Sequence, residues 1–165
     1  MKAIVVYYSW SGNTEVAAGV LASAVKAKKL ELKETKKRKL PWVYVVGGFQ
    51  AITGARSKLT QENFNLKGID TVFVCSPIWA SSPVPAVNTF LAKADLKGKK
   101  VLGLFILGDD KPPKKAFKNL EAKVLKKDGI FGGATFLQSP EKEKLPAAAV
   151  KTLVSGWLKK INKKK

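Results

Sequence analysis

Apolar runs of strand length alternate along this chain with stretches of helical periodicity, and that alternation organises the sequence. Residues 3–8 (Ala-Ile-Val-Val-Tyr-Tyr) are continuously apolar, as a strand buried on both faces is, and a polar, Gly-containing turn ends them. From Asn13 the spacing predicts a helix with Val16, Val20, Leu21 and Ala24 on one face. Residues 30–34 alternate Leu30 and Leu32 with charges, the pattern of an edge strand whose lysines discourage aggregation. Pro41 opens a second helix, with Trp42, Val45, Val46, Phe49 and Ile52 on its apolar side before Gly54. Residues 70–75 make the next strand, Ser76 to Pro85 reads as a Pro-rich loop, and Val84, Val87, Phe90 and Leu91 begin another helix. Residues 100–107 are a further buried strand, broken at Gly108-Asp109-Asp110. A Lys-rich helix follows with Phe117, Leu120, Val124 and Leu125 facing inward and Gly129 as its expected stop. Residues 130–137 supply the last strand. Pro146 opens a final helix with Val150, Leu153, Val154, Trp157, Leu158 and Ile161 at helical spacing.

Strands alternating with helices predict a parallel sheet covered on both faces, a three-layer α/β sandwich. With no internal repeat and no polar linker, residues 1–165 are expected to form one domain, ending in a basic tail at about 162–165. No apolar run approaches the roughly 20 residues of a bilayer span, and the opening is too short and aromatic for a signal peptide. The expectation is therefore a cytoplasmic protein with no membrane partner.

Composition removes several chemistries. The 165 residues include no His and one Cys, which excludes a Ser-His-Asp triad, a His-paired Cys nucleophile, a His-rich metal site, an internal disulfide and a Cys-based zinc site. No catalytic side chain and no metal are assigned; difficult chemistry would need a cofactor. Lys and Arg number 31 against 12 Asp and Glu, a net charge of +19, and only Arg38 and Arg56 are arginines. Such a charge attracts nucleic acid, anionic lipid or an acidic protein, and it also keeps a chain soluble and monomeric by self-repulsion. Base recognition relies on Arg, so the expectation is non-specific nucleic-acid adhesion at low salt.

In an open α/β sheet, ligands bind beyond the carboxyl ends of the strands, which singles out three loops. Ser9-Trp10-Ser11-Gly12-Asn13-Thr14 packs hydroxyls, an amide and a Gly at a helix N-terminus, where free N–H groups and the macrodipole favour an anion. The same residue types also serve as ordinary helix caps. The turn lacks the Lys of a nucleotide P-loop and the glycines of a dinucleotide fingerprint, so neutral donors would hold a small monophosphate. Ser76-Pro77-Ile78-Trp79-Ala80-Ser81 presents a large aromatic on a stiffened backbone, suited to a planar ligand, with Trp10 as another candidate wall. Cys75, ending an apolar strand, reads as a buried, inert thiol, and Trp157 as core.

In order and strand position these motifs resemble the flavodoxins. Ser9 to Thr14 is similar to the phosphate loop [ST]-x-[ST]-G-N-T of that family, and Ser76 to Ala80, followed by Pro83, Pro85 and Phe90-Leu91, resembles its second flavin loop. The likeness extends over essentially the whole chain. It implies a five-stranded sheet of order 2-1-3-4-5 and non-covalently bound FMN. Residues 9–14 would hold the phosphate, while residues 76–81 and the loop Gly108, Asp109, Asp110 would flank the isoalloxazine ring. It also implies a redox protein, an electron carrier before an NAD(P)H-dependent oxidoreductase, with both left open; the basic charge adds an acidic redox partner as the expectation. Two departures stand out: electron-carrying flavodoxins are usually acidic, and residues 108–113 lack the Gly-rich or aromatic character common there. The alternative is a flavodoxin-like scaffold without flavin that acts through its basic surface.

Overall fold

The computed structural model describes residues 2–36, 55–61, 63–140 and 143–163. The helix expected from Pro41 lies outside the described residues. Strands β1 (Ala3–Tyr7), β2 (Lys28–Glu31), β3 (Thr71–Trp79), β5 (Lys100–Leu107) and β6 (Ile130–Gln138) form a parallel sheet in the order β2-β1-β3-β5-β6. A short sixth strand, β4 (Ser82–Pro83), pairs antiparallel with the end of β3. Leaving β4 aside, this is the expected five-stranded parallel order. Helices α1 (Asn13–Val25), α2 (Pro85–Lys93), α3 (Lys114–Leu125) and α4 (Ala147–Asn162) cover the two faces.

Alternation along each strand divides the core. Val6, Val72, Val74, Val101 and Phe105 pack with Phe90 and Leu91 of α2 and Leu120 and Val124 of α3. Their neighbours Val5, Phe73, Cys75, Leu102 and Leu104 pack with Ala17 and Leu21 of α1 and Val150, Val154 and Trp157 of α4. Both faces are dry, which is why these strands read as unbroken apolar runs. Edge strand β2 differs. Lys28 and Lys29 stand exposed on it, and it starts two residues earlier than the leucine alternation suggested, with Ile4 opposite Lys28.

Other boundaries move for physical reasons. On α1 the buried residues are Thr14, Ala17, Ala18, Leu21 and Ala22, while Val16 and Val20 are half-buried and Ala24 is exposed. Small residues let this helix lie close to the sheet, so the valines turn to its flank. On α3, Leu125 is 55% exposed, because the helix ends there and the chain turns through Lys126 and Asp128. Gly129 is not the left-handed stop; Asp128 takes positive φ instead, at 53°. Gly129 is needed for closeness, since a Cβ there would sit 2.9 Å from Val124 Cγ1 and 3.1 Å from the Leu96 carbonyl oxygen.

The largest correction concerns residues 76–85. Strand β3 runs on through Ser76-Pro77-Ile78-Trp79, then turns back through Ala80 and Ser81 into β4. Both turn residues have positive φ, 46° and 61°, the requirement of a primed two-residue hairpin. Pro77 and Pro83 are compatible with this because the ladder there is short and at its margin. Left-handed backbone costs a Cβ-bearing residue about 1–2 kcal/mol. Replacing Ala80-Ser81 by Asn-Gly is expected to raise the unfolding free energy by about 1 kcal/mol in urea denaturation. An unchanged midpoint would show that the hairpin is not strained.

Candidate functional site

Sheet register places the three sequence-derived loops side by side. Tyr7 pairs with Cys75, and Ser76 and Pro77 pair with Phe105 and Ile106, so the chain leaves β1, β3 and β5 at one edge.

The turn after β1 is built around two residues. Gly12 precedes α1 with φ at +94°, a conformation that L side chains rarely adopt, and a Cβ there would meet nothing within 4 Å. Ser9 Oγ accepts hydrogen bonds from the Gly12 and Glu15 N–H groups at 3.1 and 3.2 Å, capping the helix from within the turn. Among the described residues, the N–H groups of Ser11, Asn13 and Thr14 have no acceptor, which leaves donors of the first helical turn available. Thr14 is buried and Ser11 exposed. Asn13 has a different duty: its Nδ2 donates to Ser139 Oγ at 2.5 Å, and its Oδ1 accepts from the Leu145 N–H at 2.9 Å. It ties the turn to the segment after β6.

At β3, Ser76 is fully buried and its hydroxyl is engaged. It donates to the Pro77 carbonyl at 2.7 Å and accepts weakly from the Val84 N–H at 3.5 Å, bracing the hairpin. Pro77 and Ile78 are half-buried, and Ala80 and Ser81 form the exposed tip. Trp79 is half-buried, with its ring edge-on to Tyr8 at 6.0 Å and 88°. Ile78 and Ser81 line a cleft of about 380 Å³ with Gly108, Asp109 and Pro113, so the second and third loops meet. Trp10 lies instead in a separate cleft of about 530 Å³ with Tyr8, Glu31 and Glu34, on the β2 side. Asp109 and Asp110 are exposed. The Lys111 N–H donates to Asp109 Oδ1 at 3.1 Å, and that bond, with one to Asp110, holds the Asp109 carboxyl below its ordinary pKa. Cys75 is buried and unreactive, its thiol pKa pushed up by burial alone.

Sequence reasoning passed over Tyr8, Glu34 and Ser139. Tyr8 donates from its hydroxyl to Glu34 Oε2 at 3.2 Å and braces Trp79 with its ring; its one legible signal was its place just after β1. Among the described residues no group of His, Cys, Asp and Glu could hold a metal ion, and no helix is long and apolar enough to cross a membrane.

The 9–14 turn offers neutral N–H donors, a hydroxyl, an open glycine and no carboxylate, which fits a phosphate; the half-buried Trp79, edge-on to Tyr8, is an aromatic surface suited to a planar ring. Solved structures with the same architecture include proteins described as flavoproteins and flavodoxins. A candidate flavoprotein from Bacteroides uniformis is 25% identical, with 93% of this chain and 97% of that one covered at a TM-score of 0.78. A flavoprotein from Lactobacillus acidophilus, solved in complex with FMN, is 20% identical over 82% of this chain and 92% of its own, at a TM-score of 0.70. Oxidised flavodoxin 2 from Bacillus cereus is 16% identical over 97% and 99%, at 0.60. Among curated proteins none matches the sequence. A flavodoxin family model matches residues 2–146, the whole sheet and the three loops, and the chain belongs to the flavodoxin family.

Proposed function

We propose that this protein binds FMN non-covalently and carries electrons through it. The observation that supports this most is the 9–14 turn, with its left-handed Gly12 and the unpaired N–H groups of Ser11, Asn13 and Thr14 at the start of α1. Those donors, with the Thr14 and Ser11 hydroxyls, would hold the phosphate, stabilised by the positive end of the helix. Ser9 keeps the turn in shape, and Asn13 anchors it to the end of β6. Trp79 would form a wall for the ring, with Ile78, Ala80, Ser81 and the Gly108-Asp109-Asp110 loop along its edge. Pro77 and Ser76 set the hairpin that carries them, and Trp10 guards the β2 side. The flavin, when bound, supplies the electron chemistry, while the protein supplies binding, orientation and field. That division suits a chain without His.

An electron carrier is favoured over an NAD(P)H-dependent enzyme, since no motif for a nicotinamide is legible. The unbalanced charge of +19 suits a cytoplasmic acidic redox partner approached by electrostatic steering. Among the described residues the one ion pair is Lys33 to Glu31 at 3.3 Å, so the cations are left largely unpaired there. The test is titration of the apoprotein with FMN, followed by quenching of flavin fluorescence; saturable one-to-one uptake is expected, and no uptake refutes the reading.

The wall has its own test. Trp79→Ala is expected to weaken FMN by about 1–3 kcal/mol, the range for an aromatic stacked on a base, and to relieve part of the quenching. Tyr8 would lose its edge-on partner as well, so stability is measured in parallel. Full affinity and full quenching in the variant would move the wall to Trp10.

A further inference from the structure

Helices α2 and α3 face each other across a cavity of about 370 Å³ that shares no residue with the three loops. Asn88, Leu91 and Ala92, at i, i+3, i+4 spacing on one face of α2, confront Lys123 in the last turn of α3 and Lys126 and Lys127 in the turn that follows it. Arg56 closes the rim, which puts four cations and no acid among the described residues that line the cavity. None of the four has an ion-pair partner among the described residues.

Like charges on a flexible surface drift apart, but one of these is held. Asn88 is 3% exposed, and its Nδ2 donates to the carbonyls of Ala55 at 3.1 Å and Pro83 at 3.5 Å. Its Oδ1 is thereby fixed to accept from Lys123 Nζ at 2.6 Å. Lys123 is a half-buried ammonium with two further donors and no carboxylate. Its pKa is lowered, first by burial and then by the positive charge of Arg56. Arg56 makes no hydrogen bond among the described residues, so its planar fork is free for a tetrahedral oxyanion. An anion between Arg56 and Lys123 would turn their repulsion into two attractions, with Lys126 and Lys127 adding charge.

We propose that this cavity binds a phosphate group, free or borne by a small phosphomonoester, at a site separate from the loops at the ends of the strands. Leu91 and Ala92 give the wall on which the organic part of a monoester would rest.

Amide NMR of the protein tests it at constant ionic strength, titrating inorganic phosphate in one arm and glycerol phosphate in the other. Saturable shifts are expected at the Asn88 side-chain amide and the Lys126 and Lys127 N–H groups, with Leu91 and Ala92 shifting only for the monoester if that is the preferred form. Phosphate entering the 9–14 turn would report instead at Asn13 and Thr14 and be displaced by FMN, so the two sites fail independently. Lys123→Gln and Arg56→Gln should each weaken the saturable shifts at least tenfold, whereas Lys118→Gln, an exposed lysine of the same helix, should not. Gln at 123 keeps a donor for Asn88; should that variant be unstable, Arg56→Gln alone decides, because the Arg56 side chain holds no structural bond. Linear, non-saturating shifts, equal loss in the Lys118 variant, or response to a single-stranded oligonucleotide alone would overturn the proposal in favour of diffuse adhesion.

Discussion

FMN is expected to bind at least about a hundredfold more tightly than riboflavin, which has the same ring and no phosphate. The 9–14 turn holds N–H donors of Ser11, Asn13 and Thr14 without an acceptor among the described residues, and a hydrogen bond to a charged group contributes about 1.5–3 kcal/mol. Two such bonds amount to about 3 kcal/mol, already more than a hundredfold in affinity, before the helix dipole adds its few tenths. Thr14→Ala and Ser11→Ala are each expected to cost about 1–3 kcal/mol of FMN affinity and nothing for riboflavin. Thr14 is the more informative, being 2% exposed and unable to relax outward. Gly12→Val tests the backbone separately: at φ +94° a β-branched residue costs about 1–2 kcal/mol or distorts the turn, so FMN affinity falls although no donor is removed. Fluorescence titration with both flavins measures all of this. Equal affinities for FMN and riboflavin would exclude the turn as a phosphate site.

The contrast between the two flavins rests on a part of the fold that was legible beforehand, and the reason is local. Ser9 to Thr14 is contiguous, its chemistry follows from a strand ending and a helix beginning, and nothing distant is needed to read it. The hairpin was not legible in the same way. Ser76-Pro77-Ile78-Trp79 contains proline, which argues against a central strand, yet β3 continues because Ile78 and Trp79 find a partner in Pro83 and Ser82 of the same chain. Helix α1 shows the limit of periodicity. Val16 and Val20 outrank Ala17 and Ala18 in hydrophobicity, but close approach to β1 and β3 selects the alanines, and the valines are left beside α4. Long-range pairs carry no local signal at all. Asn13 reaches Ser139 across 126 positions, and Tyr8 reaches Glu34 from the neighbouring edge. The resemblance to flavodoxins supplied the strand order that such contacts would otherwise have had to reveal.

Gly103 shows how a position silent in the sequence can decide whether the site is supported. It sits within the apolar run of β5, where glycine weakens a strand and offers no packing of its own. A Cβ there would lie 2.7 Å from Leu120 Cδ2, 3.1 Å from Ala134 Cβ and 3.1 Å from Phe105 Cε2. Leu120 and Phe105 are fully buried, and Ala134 stands directly opposite on β6, so none can retreat freely. The ladder between β5 and β6 also shifts register between Val101 and Gly103, so the irregularity falls at this same position. Overpacking of this kind costs about 1–3 kcal/mol for a methyl, and Gly103→Val is expected to cost more than Gly103→Ala. The effect reaches the site because β5 delivers Gly108 and Asp109 to the cleft shared with Ile78 and Ser81. A double-mutant cycle separates collision from any loss of backbone freedom. Leu120→Ala alone opens a cavity and is expected to cost about 2–5 kcal/mol. Combined with Gly103→Ala it should cost about 1 kcal/mol less than the sum of the two, since the new methyl enters the space Leu120 vacates. Denaturant unfolding of the four proteins measures the coupling. A coupling near zero would mean that the methyl is relieved elsewhere, by Phe105 or by a shift of β6, and that Leu120 is not what keeps residue 103 a glycine.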